Sequence, residues 1–189
     1  MNRLFLIFIV LFFSCKNGEK DNVTKTNDTI VEKQDTIKSD KVELGKAPNF
    51  KLEDIDGNFK TLESYKGKLI LLDIWATWCG PCLANVPYIK ELEQMYKGKN
   101  FEIVSISIDS QSDKEKWKMM VKEKQLVGEQ LFAGAESRFP FDYQVSFIPR
   151  FILISPQGDL IDNDAPQVIN EMGDGINQEI IQLINQNLK

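Results

Sequence analysis

Two cysteines that stand two residues apart are the side chains of this sequence best suited to chemistry. Cys79 and Cys82 lie in the segment WATWCGPC, and the third cysteine, Cys15, lies far away beside an apolar N-terminus. Such a pair can hold a metal ion, form a structural disulfide or exchange electrons as a dithiol–disulfide couple. The chain contains no histidine, which excludes Cys–His hydrolases and zinc sites of the Cys2His2 type.

The spacing of the pair favours the redox interpretation over the other two. A structural zinc site needs four ligands, usually supplied by two such pairs, and this sequence has one pair, so no metal is expected. Exported proteins often carry structural disulfides, but closing a loop of two residues removes little chain entropy. A redox centre gains from the same spacing, because the second thiol can attack a mixed disulfide before the substrate dissociates.

The pair lies where a buried strand is predicted to meet a helix. Residues 68–76 form a continuous apolar run, typical of a strand buried on both faces. Helical periodicity begins at Gly80, with Pro81 in the first turn, where a missing N–H costs little. The positive end of the helix dipole would stabilise a Cys79 thiolate, and thiols so placed have pKa values lowered to ~3.5–7.5. Cys82 should be more shielded, so we expect Cys79 to attack and Cys82 to resolve.

The remaining pattern predicts an α/β domain over residues 45–189. Further strands are predicted over 101–109 and 131–134, further helices over 112–124 and 174–188, and hairpins around Asp56-Gly57 and over 151–161. The first helix is expected to pack through Leu83, Val86, Ile89 and Leu92, and the last through Ile176, Ile180, Ile184 and Leu188. Strands alternating with helices imply a mixed central β-sheet flanked by helices.

The N-terminus is predicted to be an export signal followed by a tether. Arg3 precedes an unbroken apolar run of ten residues, too short to span a bilayer, which needs about 20, and suited to a signal peptide. The segment FFSC is similar to a bacterial lipoprotein box, so we expect residues 1–14 to be removed and Cys15 to carry lipid. A soluble secreted protein and an uncleaved anchor are the alternatives. Residues 15–44 are polar and lack periodicity, which predicts a flexible tether.

The domain closely resembles the thioredoxin superfamily, above all the membrane-tethered thiol-disulfide oxidoreductases of the TlpA/ResA type. The resemblance covers about residues 45–189 and rests on APNFKLEDIDG, LLDIWATWCGPC and FIPRFILISPQGDL. A lone C-x-x-C is a weak signal, but W-C-G-P-C after an apolar strand, with a later Ile-Pro before another strand, is specific. The resemblance implies a thioredoxin-like fold with an extra N-terminal hairpin.

The resemblance also implies which residues bind the substrate. Pro149 matches the cis-proline that faces the cysteine pair, and Ile148 would offer backbone hydrogen bonds to an extended substrate. The alternative for Pro149 is an ordinary proline at the start of a strand. Trp78 would shape the docking surface together with Gly80 and Pro81, whose Gly-Pro sequence between the cysteines is similar to that of the reducing members of the superfamily.

A buried acid is implied as well. Asp73 matches the carboxyl group that exchanges a proton with the resolving thiol, and burial in so apolar a strand should raise its pKa. The alternative is a residue at the strand end with its side chain in solvent. Ser105 aligns with the lysine that thioredoxins place beside this acid. This departure bears on what sets the pKa of Asp73. Trp75 is expected in the core.

These features predict a protein-disulfide reductase that needs no cofactor. Its implied substrate is an exported protein with a vulnerable disulfide, such as apocytochrome c, and its implied electron source is a membrane-embedded thiol donor. We expect a lipid-anchored monomer in the cell envelope of a bacterium, facing the periplasm. A net charge of −5 argues against a nucleic-acid partner, because phosphate binding needs clustered lysine and arginine.

Two other functions remain as alternatives. A peroxiredoxin-like thiol peroxidase would carry P-x-x-x-T-x-x-C before its reactive cysteine, and here Leu72 and Ala76 occupy the Pro and Thr places. A binding module that uses a thioredoxin groove without chemistry would not need the intact cysteine pair.

Overall fold

The structure is a computed structural model that describes residues 44–188. Its strands are β1 (Lys51–Asp54), β2 (Phe59–Thr61), β3 (Leu69–Trp75), β4 (Phe101–Ser107), β5 (Glu129–Phe132), β6 (Arg150–Ile154) and β7 (Leu160–Ala165). Its helices are α1 (Gly80–Met95), α2 (Lys114–Glu123), α3 (Phe139–Asp142) and α4 (Gln178–Asn187). The predicted signal peptide, Cys15 and all but the last residue of the predicted tether lie outside the described residues.

Within residues 44–188, seven strands form one mixed sheet in the order β2-β1-β5-β4-β3-β6-β7. Strands β3, β4 and β5 run parallel, while β6 is antiparallel to β3 and β7 is antiparallel to β6. The N-terminal hairpin β1–β2 joins the sheet through antiparallel pairing of β1 with β5. The predicted mixed sheet with an extra N-terminal hairpin is therefore confirmed.

Strand β3 lies inside the sheet, between β4 and β6, and is buried along its whole length, which explains its uninterrupted apolar sequence. Successive side chains of a strand point to opposite faces. Leu69 and Leu71 pack in one cluster with residues of α1 and α4, whereas Ile70 and Leu72 pack in another with residues of α3. Helices thus cover both faces, as predicted. Asp73 shares the face of Leu71, so the chain folds a carboxyl group beneath α1.

The helices begin and pack somewhat differently from the sequence prediction. The fully buried face of α1 is formed by Cys82, Asn85, Ile89 and Leu92, and the predicted Leu83 and Val86 are half-buried beside it. Helix α2 begins at Lys114, after a 3-10 turn at Gln111–Asp113. Helix α4 begins at Gln178, where the Asn177 side chain accepts the Glu179 N–H at 2.9 Å. Ile180 and Ile184 are buried as expected.

The described helices are also too short or too polar to act as membrane spans: none between residues 44 and 188 has the length and apolar character needed to cross a bilayer.

Candidate active site

Cys79 is the residue that caps the N-terminus of α1. Strand β3 ends at Trp75, a short loop follows, and Cys79 lies in extended conformation immediately before Gly80, the first helical residue. The Cys79 sulfur accepts a hydrogen bond from the Cys82 N–H at 3.2 Å. Because Pro81 has no N–H, it fits the first turn of this helix without losing a hydrogen bond. The sulfur therefore lies where a helix terminus stabilises negative charge.

Cys79 and Cys82 form a disulfide, with their Cα atoms 5.3 Å apart. The prediction that Cys82 is more shielded than Cys79 is wrong in this state, since each residue is 4% exposed. Burial does not distinguish them because the disulfide holds both sulfurs within one apolar cluster. What does distinguish them is the helix: Cys79 receives an N–H hydrogen bond at the terminus, and Cys82 lies on the buried face of the first turn.

An apolar wall surrounds the disulfide. The buried residues that form a cluster with the two cysteines are Trp75, Ala76, Trp117, Val121 and Phe132. They come from β3 and the loop after it, from α2 and from β5. Trp75 is therefore a core residue, as expected. Such a wall limits the access of bulk solvent to the sulfurs and strengthens electrostatic interactions beside them.

The predicted substrate-binding residues lie on and around this cluster. The Ile148–Pro149 peptide bond is cis, as the resemblance implies; Pro149 is buried, and Ile148 packs against the cluster that contains both cysteines. Trp78 is 63% exposed, and Gly80 and Pro81 are exposed as well. The roles of these residues towards a substrate stay predictions.

Asp73 is a buried carboxyl group that lines the same cavity as Cys82. Burial raises its pKa from its ordinary 3.8 to about 7, although Ser105 opposes the rise by donating a hydrogen bond from Oγ to Oδ2 at 3.0 Å. The alternative of a solvent-facing strand-end residue is thus wrong. Asp73, Ser105 and Cys82 line one small cavity of about 10 Å³. A carboxyl group that titrates near neutral pH, beside a thiol, can exchange a proton with it.

A second buried carboxylate near the disulfide was not predicted from the sequence. Asp109, beyond the end of β4, accepts hydrogen bonds from the Thr77 N–H at 3.0 and 3.1 Å, from Thr77 Oγ1 at 2.7 Å and from Ser107 Oγ at 2.7 Å. Thr77 stands two residues before Cys79, so these bonds fix the loop that leads into Cys79. The signal in the sequence is an aspartate at the end of an apolar strand, where a side chain reaches the neighbouring loop.

Asn85 was missed as well, although it lies on the cysteine-bearing helix. Its amide donates to the Pro81 carbonyl at 3.1 Å and accepts from the Ile169 N–H at 2.9 Å. It is fully buried. These bonds link the first turn of α1 to the segment between β7 and α4. A polar residue at a buried helix position contradicts the usual apolar pattern, which is why periodicity assigned the neighbouring residues to the core.

Residues 43–178 of the chain match the redoxin family. The chain belongs to that family. A thiol-disulfide oxidoreductase ResA of Bacillus cereus is 32% identical over 152 residues, covering 75% of this chain and 80% of that protein. A crystal structure from Bacteroides vulgatus, described as a thiol-disulfide oxidoreductase, is 29% identical with a TM-score of 0.67 and covers 79% of this chain and 99% of the other.

These matches confirm the resemblance to ResA-type members of the thioredoxin superfamily and the thioredoxin-like fold. Coverage is not uniform among the relatives. A ResA protein of Bacillus thuringiensis subsp. konkukian is 44% identical over 73 residues, a segment that spans 42% of that relative, less than two thirds of its length.

Proposed function

We propose that this protein is a thiol-disulfide oxidoreductase that reduces disulfide bonds of exported proteins through Cys79 and Cys82. The observation that carries the proposal is the position of the disulfide: Cys79 caps α1, and its sulfur accepts the Cys82 N–H. When the disulfide is reduced, a thiolate at Cys79 faces the N–H groups and positive dipole end of the helix. The activity in the names of the ResA and Bacteroides vulgatus relatives supports the proposal.

In the proposed cycle, the Cys79 thiolate attacks one sulfur of a substrate disulfide. The other substrate sulfur leaves with the bonding electron pair and takes up a proton. Cys82 then loses its proton, for which Asp73 is the nearby acceptor, and attacks the Cys79 sulfur of the mixed disulfide. The Cys79–Cys82 bond forms as the bond to the substrate breaks, and the second substrate sulfur leaves with that electron pair and takes up a proton. The substrate is thus released reduced and the protein is left oxidised.

The surface beside the disulfide suits an extended polypeptide substrate. Trp78 exposes an aromatic ring next to Cys79, and Gly80 and Pro81 leave the helix start without bulky side chains. We assign the Ile148 backbone, beside the cis Pro149 bond, to hydrogen bonding with the main chain of the substrate, a common way to bind extended peptides. The substrate class is an exported protein with an accessible disulfide, such as apocytochrome c.

The proposed localisation is the bacterial cell envelope. Removal of residues 1–14 leaves Cys15 as a lipidated N-terminus, and residues 15–44 tether a monomeric domain that faces the periplasm. Acyl chains contribute about 0.8 kcal/mol per buried methylene, so several chains hold such a protein firmly on a membrane. Because the periplasm is kept oxidising, the reductase needs electrons from a membrane-embedded thiol donor.

Trapping tests the proposal directly. In Cys82→Ser the mixed disulfide at Cys79 cannot be resolved, so substrates should accumulate on the protein in cells and appear as bands that thiol reductants remove. The double variant Cys79→Ser/Cys82→Ser is the matched control and should trap nothing. Absence of trapped proteins, together with a wild-type pair that stays fully oxidised, would exclude the reductase function.

A further inference from the structure

A row of three polar side chains crosses the interior of the sheet beneath α1. Asp73 on β3 pairs in register with Ser105 on β4, and Ser105 pairs with Gln130 on β5. Residues paired directly across neighbouring strands lie on the same face of the sheet. All three residues are buried. The polar row therefore continues past the Asp73–Ser105 hydrogen bond to Gln130.

The amide of Gln130 is oriented by one hydrogen bond and leaves its oxygen without a protein partner. Its Nε2 donates to the Val127 carbonyl at 2.6 Å. This bond fixes which end is the nitrogen, because a flipped amide would place two acceptors against each other. Oε1 is buried and has no hydrogen-bond partner among residues 44–188. A buried acceptor of this kind normally binds a donor, and water is the usual one when no protein group serves.

Gln130 lines the cavity that Asp73 and Cys82 also line. Its volume of about 10 Å³ is close to the lower limit for holding one water molecule. An ordered buried water needs two to four polar partners. The residues that line the cavity include three with such groups, namely Gln130, Asp73 and Cys82.

The charged and titratable groups around the cavity are few. Helix α1 contributes Cys82 and Lys90, and the Lys90 ammonium donates to the Lys124 carbonyl at 2.7 Å. The other lining residues from β4, β5 and the segment before β5 are uncharged, namely Ser105, Gln130, Leu126 and Val127. Among the lining residues, Asp73 therefore carries the carboxyl group that can take a proton from the Cys82 thiol, and Gln130 carries a neutral acceptor.

We propose that Gln130, through its unpaired Oε1, holds a water molecule beside Asp73 and Cys82 and so positions that water for the proton transfer that accompanies resolution. The inference rests on the proposed function. The Cys82 thiol gives its proton to the water, which passes one of its own protons to the Asp73 carboxylate. The Cys82 thiolate attacks the Cys79 sulfur, and the substrate sulfur leaves with the electron pair and takes up a proton from solvent. Gln130 is a positioning residue, since it touches the water and not the reacting sulfurs.

A small aromatic disulfide, dithiobis(nitrobenzoate), separates the two chemical steps in the reduced full-length protein carrying Cys15→Ser, whose remaining thiols are Cys79 and Cys82. Attack by Cys79 releases the first coloured thionitrobenzoate, and attack by Cys82 on the resulting mixed disulfide releases the second. Gln130→Met removes the acceptor oxygen while keeping the side-chain length. Its second phase should slow about tenfold, a part of the 10²–10⁴ that positioned proton transfer supplies. Its first phase should stay within about twofold of wild type, because Cys79 is activated by the helix terminus.

Gln182→Met, on the exposed face of α4, is the matched control and should leave both phases unchanged. An unchanged second phase in Gln130→Met overturns the proposal. Equal slowing of both phases also overturns it, since that pattern reports a disturbed fold. A wild-type protein without any second phase would instead contradict the proposed function, which separates the two failures.

Discussion

The buried carboxyl group of Asp73 should make the stability of the oxidised protein fall as pH rises. Its pKa is raised from 3.8 to about 7 by burial, against the hydrogen bond from Ser105. Below the unfolded-state pKa both states bind the proton, so Asp73 does not make the free energy of unfolding depend on pH. As pH rises from there to about 7, the native state retains a proton that the unfolded state has lost, and stability decreases. The difference of about 3 pKa units corresponds to about 4 kcal/mol above neutral pH.

Asp73→Asn removes this titration and keeps an oxygen that can accept the Ser105 hydrogen bond. Relative to wild type, the variant should gain stability between about pH 5 and about pH 8, by roughly 2–3 kcal/mol, because the wild-type penalty grows over that range. The informative quantity is how the stability difference between variant and wild type changes with pH, since the cost of burying a new amide is the same at both pH values. Urea denaturation of the oxidised proteins at the two pH values measures it.

The control for this experiment is Asp56→Asn, which removes one carboxylate from the exposed turn between β1 and β2. Its stability relative to wild type should change little between the two pH values. If Asp73→Asn behaves in the same way, Asp73 is not a carboxyl group that burial keeps protonated near neutral pH. Its role as proton acceptor for Cys82 would then lose its physical basis.

Four further predictions concern the site and the residues that support it. Thr77→Val keeps the side-chain shape but deprives buried Asp109 of a donor, so unfolding free energy in urea should fall by about 1–3 kcal/mol. Cys79→Ser should abolish the reduction of insulin disulfides. The wild-type protein should turn over hydrogen peroxide far more slowly than disulfides, and comparable rates would favour a thiol peroxidase. Gly128→Ala should lower the free energy of unfolding measured in urea by about 2 kcal/mol or more. The reason is that Gly128 has φ +71° and an added Cβ would lie 2.5 Å from the Ile103 carbonyl oxygen. An unchanged urea midpoint would contradict this.

The sequence was sufficient to predict the elements that carry the cysteine pair. A strand buried on both faces has an unbroken apolar sequence, and β3 has one. Pro81 is tolerated at a helix start and so marks where α1 begins. These are local effects of burial and backbone geometry, which a short segment expresses by itself. The position of Cys79 at the helix terminus could therefore be predicted from eight residues.

The polar groups beneath α1 could be predicted only in part. The resemblance placed Ser105 near Asp73, but the continuation of the row to Gln130 depends on the register of β4 with β5. Those strands are parallel and are joined through α2, so no turn fixes their register locally. The bonds from Thr77 to Asp109 likewise join residues 32 positions apart. Such contacts arise from tertiary packing, and the alternation of polar and apolar residues does not encode them.

Two buried carboxyl groups near one disulfide serve different ends because their surroundings differ. Asp109 accepts hydrogen bonds from the N–H and hydroxyl groups of Thr77 and from Ser107, and a carboxylate with such donors is a fixed acceptor that holds the loop before Cys79. Asp73 accepts from Ser105 and is otherwise surrounded by an apolar strand and a water-sized cavity. In the proposed function, Asp109 therefore positions the loop that carries the attacking Cys79, and Asp73 takes the proton of the resolving Cys82.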